Sequence, residues 1–366
     1  MKKPSKLGFG LMRLPMAGAA LDMEQICTMV DRFLDAGYTY FDTAWGYHGG
    51  LSEVVVHDAL TTRHPRDSFL LADKLPLWVM KEKSDLRSTF GTQLARTGAG
   101  HFDYYLMHAV NRRYFARIER LGIWDFMKQL KAEGLVHRIG FSFHDSADVL
   151  RQALDNYPET EFVQLQINYA DWASPNVQSK LCYDLCVERN IPVIVMEPVK
   201  GGSLAVLPEA AKAPLTALNP NDSMAKWAFR YCATLPGVLT TLSGMSTTDQ
   251  LEDNINTFND IKPLSVNEQA ALAQTLEILE SAPTIGCTGC QYCLEKCPQS
   301  IAIPSVFDAY NDGITYALND KVRARYAMAC GAHKPETCIA CGACEAICPQ
   351  HLDIIPWLKT VVNYFA

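Results

Sequence analysis

Apolar residues in the first 250 positions fall into short continuous runs, separated by longer stretches in which they recur at three- and four-residue spacing. The runs occupy 7–10, 38–42, 69–74, 104–108, 138–142, 162–167, 192–196 and 238–243. Short apolar runs read as buried strands, and the amphipathic stretches between them, over 84–99, 121–132, 145–156, 174–189 and 221–233, read as helices. Another helix opens at Asp22 with an acidic first turn and closes at Gly37, in the C′ position before the next strand. Strands alternating with helices form parallel sheet, and eight such units predict an α/β chain closed into a (β/α)8 barrel of the TIM type, ahead of an open doubly wound sheet. After Pro263, a run rich in Ala, Leu, Glu and Gln predicts a further helix over 265–281.

Length and cysteine usage add a second domain. A chain of 366 residues exceeds what one core usually supports, and nine of its 13 cysteines lie at or beyond position 287. The organisation expected is a barrel over 1–262, a connecting helix over 263–283 and a small cysteine-rich domain over 284–366. Hydrophobic residues at 48% and charged residues at 20% describe an ordinary folded chain. A net charge of -7 supplies no basic field for a phosphate backbone, so nucleic acid is not an expected partner. No apolar run is long enough to span a membrane, and Lys2 and Lys3 are not followed by the apolar core of an export signal. A cytoplasmic protein is expected, and in that compartment crowded cysteines mean metal ligation or catalysis before disulfides.

The cysteines are ordered. Cys287, Cys290, Cys293 and Cys297 precede Pro298, and the same spacing returns in Cys338, Cys341, Cys344 and Cys348 before Pro349. Three thiolates at two-residue intervals wrap one face of a cubane, and a fourth followed by proline is turned away from it. The doubled run resembles that of bacterial ferredoxins with two [4Fe-4S] clusters, and the resemblance implies crossed ligation. Cys287, Cys290, Cys293 and Cys348 would hold one cluster, and Cys338, Cys341, Cys344 and Cys297 the other. Structural zinc is the competing reading, but a four-thiolate zinc site has no need of the third two-residue step or the Cys-Pro. Apolar residues at helical spacing over 306–328 make the insert similar to the α-helical type of ferredoxin-like domain. Cys330 is spare, and Cys182 and Cys186, four residues apart, read as packed thiols.

Five strings in the barrel then matter together: Gly8-Phe9-Gly10, Phe41-Asp42-Thr43-Ala44-Trp45-Gly46-Tyr47, Asp73-Lys74, Tyr105-Leu106-Met107-His108 and Gly140-Phe141-Ser142. Each is weak alone; in this order they resemble the aldo/keto reductase family, and with Phe143-His144 and the doubled cysteine motif its iron-sulfur branch. The resemblance implies a catalytic tetrad of Asp42, Tyr47, Lys74 and His108. Three of these end consecutive predicted strands, the catalytic face of such a barrel. Tyr47 would supply the proton, Lys74 would lower its pKa, Asp42 would hold Lys74, and His108 would hydrogen-bond the substrate oxygen. An NADP or NAD cofactor is implied, with Gly10 among the residues that bind it and Ser142 and Gln166 on its carboxamide. The Met196-Glu197-Pro198-Val199 stretch would lie beneath the ring, with Met196 where relatives commonly carry a stacking Tyr. Gly244, Ser246, Gln250 and Asn254 match the adenosine-phosphate segment. Relatives preferring NADPH usually have Lys and Arg at the positions of Gly244 and Gln250, so the preference between NADPH and NADH stays open. The glycines after Lys200 read equally as a pyrophosphate cradle or a strand-to-helix loop.

The activity implied is hydride transfer between NAD(P)H and a small-molecule carbonyl or alcohol, the substrate being chosen by the segments 78–83, 109–122 and 357–365. A hydride carries two electrons and a cubane one, so the clusters are left to serve a protein redox partner or to hold the tail folded. The alternative function is an electron-transfer protein with the barrel as a docking scaffold.

Overall fold

The computed structural model describes residues 4–366 apart from Asn176, Thr288 and Leu318. The chain divides into two compact units, one made of the residues up to Gly202 with Ala225–Leu264, the other of Ser203–Met224 with Ser265–Ala366.

In the first unit eight parallel strands close into a barrel: β1 (Leu7–Gly10), β2 (Tyr40–Asp42), β3 (Leu70–Leu75), β4 (Phe102–Val110), β5 (Val136–Phe143), β6 (Phe162–Gln166), β7 (Val193–Met196) and β8 (Val238–Ser243). Each pairs with its neighbour in sequence, and β8 closes on β1 through Leu7 beside Thr241 and Phe9 beside Ser243. Successive side chains on a strand point to opposite faces. One set, Tyr40, Leu70, Ala72, Tyr104, Leu106, Phe162, Ile194 and Leu242, makes an apolar cluster that fills the barrel. The intervening residues, among them Phe41, Leu71, Tyr105, Met107, Phe141, Val163 and Val195, join the larger core against the helices. Space between β5 and β6 is tight enough to require glycine: a Cβ at Gly140 would stand 2.2 Å from the carbonyl oxygen of Phe162.

The helix Met23–Asp35 shows the local logic. Asp22 caps it by accepting from the Gln25 N–H at 3.0 Å, and Ile26, Met29, Val30 and Phe33 bury one face at helical spacing. Gly37 follows with φ 87°, a conformation that glycine adopts without strain. The expected 174–189 helix starts later, at Ser179, because Gln178 takes a left-handed φ of 55°.

The second unit is helical. Glu209–Leu218 packs with Val266–Glu280, tied by the Thr275 hydroxyl donating to the Ala211 carbonyl at 2.9 Å. The helices Ile303–Tyr316, Asp320–Cys330 and Ile354–Phe365 surround a small core of Ile301, Val306, Phe307, Tyr310, Leu358 and Val361, which Cys293 and Cys344 join. Two expectations change here. The insert over 306–328 is two helices, since Asn319 starts a new one by accepting from the Val322 N–H at 3.0 Å. The segment 357–365, expected as a specificity loop, lies within a helix that buries Ile354, Leu358 and Val361 in this unit's core.

Candidate active site

One pleat beyond the apolar cluster, the inward face of the barrel turns polar. Asp42 follows Tyr40, Lys74 follows Ala72, His108 follows Leu106, Gln164 and Gln166 follow Phe162, and Met196 follows Ile194. All stand at or near the C-terminal strand ends, where loops are free to vary over a fixed scaffold.

Lys74 is almost wholly enclosed, 1% exposed, and its ammonium is shared between the Asp42 carboxylate and the Thr43 carbonyl oxygen, the latter at 2.7 Å. Its Nζ lies 4.7 Å from the centre of the Tyr47 ring. Burial opposes charge on both partners and raises the Asp42 carboxyl, but the attraction of Asp42 outweighs it at Lys74 and holds the amine above the ordinary lysine range. The second Asp42 oxygen accepts from Gln164 Nε2 at 3.3 Å. Behind the strand, Gln93 donates to the Lys74 carbonyl and to Glu53, each at 3.0 Å, while Tyr105 donates to Gln93 at 2.6 Å and Arg96 pairs with Glu53 at 2.9 Å. Asp73 faces this buried group, and burial with the nearby Glu53 charge raises its carboxyl well above the usual carboxylate range.

Tyr47 comes from the loop after β2, in a turn where His48 has φ 50°. The turn is pinned by His48 Nε2, which accepts from the Leu14 N–H at 3.2 Å. Burial raises the Tyr47 phenol above its ordinary value, with Lys74 pulling it back only in part. Lys74 does lower this pKa as expected, but burial outweighs it: taking a phenolate out of water costs more than one nearby ammonium returns.

His108 stands edge-on to Tyr47, ring centres 6.1 Å apart, and 5.0 Å from Trp78, which is 42% exposed at the mouth. A register shift in the β4–β5 pairing after Met107 re-aims the strand at this residue. Burial, then Lys74 and His144, keep His108 neutral by pushing it well below its ordinary value, and its buried Nδ1 has no hydrogen-bond partner.

The expected cofactor positions are distributed around the same mouth. Ser142 Oγ accepts from the Ala109 N–H at 2.8 Å, leaving its hydroxyl proton to donate. Gln166 and Asn168 both donate to Asp171 Oδ2 at 2.8 Å, and Lys200 reaches Asp171 Oδ1 at 2.6 Å. Met196 is paired with Gln166 across β6 and β7, and the following turn, through Glu197, Pro198 and Val199, starts with φ 54° at Glu197. Gly10 closes against the Ser243 carbonyl, 3.4 Å from where its Cβ would be, so bare backbone lines this part of the rim. Ser246 donates to the Arg13 carbonyl at 2.9 Å and its N–H to Gln250 at 2.8 Å; Asn254 donates to Ser243 at 2.9 Å. The stem of Arg13 lies 3.1 to 3.2 Å from where a Gly244 Cβ would stand. The aliphatic stem of Arg13 thus packs over Gly244, a position that itself offers no charge. Bare backbone at Gly10, the free Ser142 proton and the thioether of Met196 fit a flat, amide-bearing ring such as nicotinamide.

In the second unit, Cys287, Cys290, Cys293 and Cys348 line one small hollow with Ile303, Phe307 and Leu352. Cys297, Cys338, Cys341 and Cys344 line another with Ile301, Ile355 and Leu358. Four thiols around each apolar hollow fit one cubane apiece. Cys182 and Cys186 lie elsewhere, their thiols pushed up to about 12 by burial, as suits packed thiols.

Several residues of this site escaped the sequence reading. Gln164 was within reach of it, two positions before Gln166 on the same strand face; His48, Asp171 and Arg13 approach only through loop geometry, while Trp78 opens the 78–83 segment expected to choose the substrate.

Comparison with known proteins gives the same picture. A 4Fe-4S dicluster domain matches residues 286–353. The NADH-specific methylglyoxal reductase of Escherichia coli is 26% identical over 325 residues, covering 75% of this chain and 96% of that protein. L-galactose dehydrogenase of Arabidopsis thaliana is 24% identical over 301 residues, covering 76% and 91%. Among solved structures, a holo aldo-keto reductase from Bacillus halodurans shares the fold at 23% identity and TM-score 0.59, covering 75% of this chain and 96% of that one. An aldo-keto reductase from Klebsiella pneumoniae in complex with NADPH does so at 20% identity and TM-score 0.59, covering 75% and 95%. With the family model matched from residue 6 to 277, across the whole barrel, the chain belongs to the aldo/keto reductase family and carries a 4Fe-4S dicluster domain behind it.

Proposed function

We propose that this protein interconverts a small aldehyde or ketone and its alcohol, using NADH or NADPH at the C-terminal mouth of the barrel. The observation that carries the reading is the convergence of Tyr47, His108 and the charged Lys74–Asp42 pair on one point of that mouth. A bound reduced nicotinamide supplies the hydride. Tyr47 holds the proton that the carbonyl oxygen acquires: its raised pKa keeps the phenol protonated at neutral pH, and Lys74 beneath the ring stabilises the phenolate that remains. His108, neutral, donates a hydrogen bond to the substrate oxygen and orients it towards Tyr47. Trp78 covers that oxygen's approach and favours a compact carbonyl over a bulky one. The small dicarbonyl in the name of the Escherichia coli relative is a suitable first substrate to test.

Each cluster is proposed to rest on the four cysteines of one hollow, Cys287, Cys290, Cys293 and Cys348 for one and Cys297, Cys338, Cys341 and Cys344 for the other. The clusters relay single electrons to a redox partner or keep the helices of their unit together, outside the hydride step.

Tyr47→Phe is the direct test. It removes one hydroxyl and leaves the ring over Lys74, so cofactor binding by fluorescence titration stays near wild type while turnover falls by ~10² to 10⁴. Turnover equal to wild type would remove Tyr47 from the chemistry.

A further inference from the structure

We propose that His101, Asp103 and His137 form a binding site for a divalent transition-metal ion of the zinc class at the N-terminal end of the barrel. Their ligand atoms all lie within 4.8 Å of one another. Asp103 Oδ1 is 3.3 Å from His137 Nδ1 and 3.9 Å from His101 Nε2, and the two imidazole rings are 4.6 Å apart.

The backbone builds this arrangement. Phe102 is abreast of Val136 and Tyr104 of Arg138, so Asp103 and His137 face each other across β4 and β5 on the side away from the barrel interior. His101, two residues before Asp103, emerges on the same side. The site is five residues from His108 along β4, about 17 Å at ~3.3 Å per residue, so it is separate from the mouth.

The carboxylate is oriented as a ligand would be. Asp103 Oδ2 accepts from Arg66 at 2.7 Å and from the Leu71 N–H at 2.9 Å. Arg66 is itself fixed, donating to the carbonyls of Ala99, Phe69 and His101 at 3.0, 3.2 and 2.9 Å. That leaves Oδ1 towards the two histidines, as outer hydrogen bonds orient a metal-binding carboxylate. The neighbouring cations are engaged too, Lys131 and Arg138 each lying 2.6 Å from Glu161.

Donors around a bound zinc-class ion lie about 3.0 to 3.4 Å apart. The imidazoles must close by about an ångström, and they are free to do so, being 31% and 41% exposed beside an open hollow of about 750 Å³. Two imidazoles and one carboxylate select zinc, nickel or cobalt over magnesium and calcium, which take oxygen ligands. Three protein ligands leave positions for water. The ion would clasp the starts of β4 and β5, and the Arg66 charge nearby keeps its affinity moderate.

The test titrates the full-length, cluster-loaded protein with Ni²⁺ under anaerobic calorimetry, nickel being suited to imidazole and less drawn to thiolate than zinc. Wild type should show one binding event that His101→Gln and His137→Gln each weaken by at least roughly 10-fold, while both retain cluster content and carbonyl reductase turnover. On unaltered protein, Ni²⁺ should also protect His101 and His137 from diethyl pyrocarbonate, read by mass spectrometry. Isotherms unchanged in both variants, a loss in only one of them, or labelling of both histidines undiminished by the metal would overturn the site.

Discussion

The four residues proposed for the chemistry take opposite protonation states by environment alone. Lys74 is charged because the Asp42 carboxylate outweighs its burial, His108 is neutral because burial and then the Lys74 charge push its pKa down, and Tyr47 keeps its proton because it is buried. This fixes the sign of the pH dependence. A Tyr47 pKa above the usual ~10 leaves the acid form in place, so kcat/KM for reduction should stay flat from about pH 6 to about pH 9. Alcohol oxidation needs the phenolate, whose population grows tenfold per pH unit below the pKa, so its rate should climb over the same range. A reductive rate that instead declines near pH 6.5 would give the proton to a histidine. Arg13 carries a second prediction at this scale. Its stem packs over Gly244, in the segment proposed to hold the adenosine phosphate, and the side chain is exposed to solvent. Arg13→Ala should lower kcat/KM with NADPH by roughly 10- to 100-fold, the ~1.5 to 3 kcal/mol of a charged hydrogen bond, and leave NADH nearly unchanged. Equal losses with both cofactors would show that Arg13 only shapes the rim.

Among the elements, β5 and β6 leave no room for a side chain at Gly140. Ser142 reaches the mouth beside Gln164 because Gly140 lets β6 approach, and the Phe162 carbonyl occupies the space of a side chain at Gly140. Gly140→Ala should therefore destabilise the barrel by about 1 to 3 kcal/mol or more, seen as a lowered denaturant midpoint, and displace Ser142 enough to raise KM for the cofactor. An alanine variant of wild-type stability and KM would mean that the strands can part at no cost. The same scale explains the misplaced helix ends. Cap chemistry placed the start of Met23–Asp35 at Asp22, whereas the left-handed Gln178 and the cap at Asn319 are set by turns that apolar spacing does not reveal.

In the whole molecule, the two units are built for different chemistry. The barrel moves electrons in pairs, and the dicluster domain is built from thiols that share a core with its helices. No described helix is long and apolar enough to cross a membrane. Cys297→Ser should empty the cluster of Cys338, Cys341 and Cys344 and leave that of Cys287, Cys290 and Cys293, while Cys290→Ser should do the reverse. The two are separated by iron content and by EPR of the reduced, anaerobically prepared proteins. If both variants lose the same signal, each motif closes its own cluster. Because Cys293 and Cys344 lie in the core of their unit, stripping both clusters with a chelator should open its helices to proteolysis while the barrel keeps its carbonyl reductase turnover.

What could be read without coordinates was what repeats locally. Eight apolar runs gave eight strands, since burial on both faces of a parallel strand leaves a continuous apolar signature. The doubled cysteine spacing was legible because a cubane prescribes ligand intervals along the chain, and the placement of Asp42, Lys74 and His108 at strand ends because strand ends follow from strands, their proposed roles coming from the family resemblance. The rest depended on closure. Gln164 meets Asp42 across 122 positions, Arg13 covers Gly244 across the β1–β8 seam, and the Tyr47 phenol is raised by burial. Burial and through-space charge depend on the barrel being shut, and they decide which groups at its mouth hold a proton.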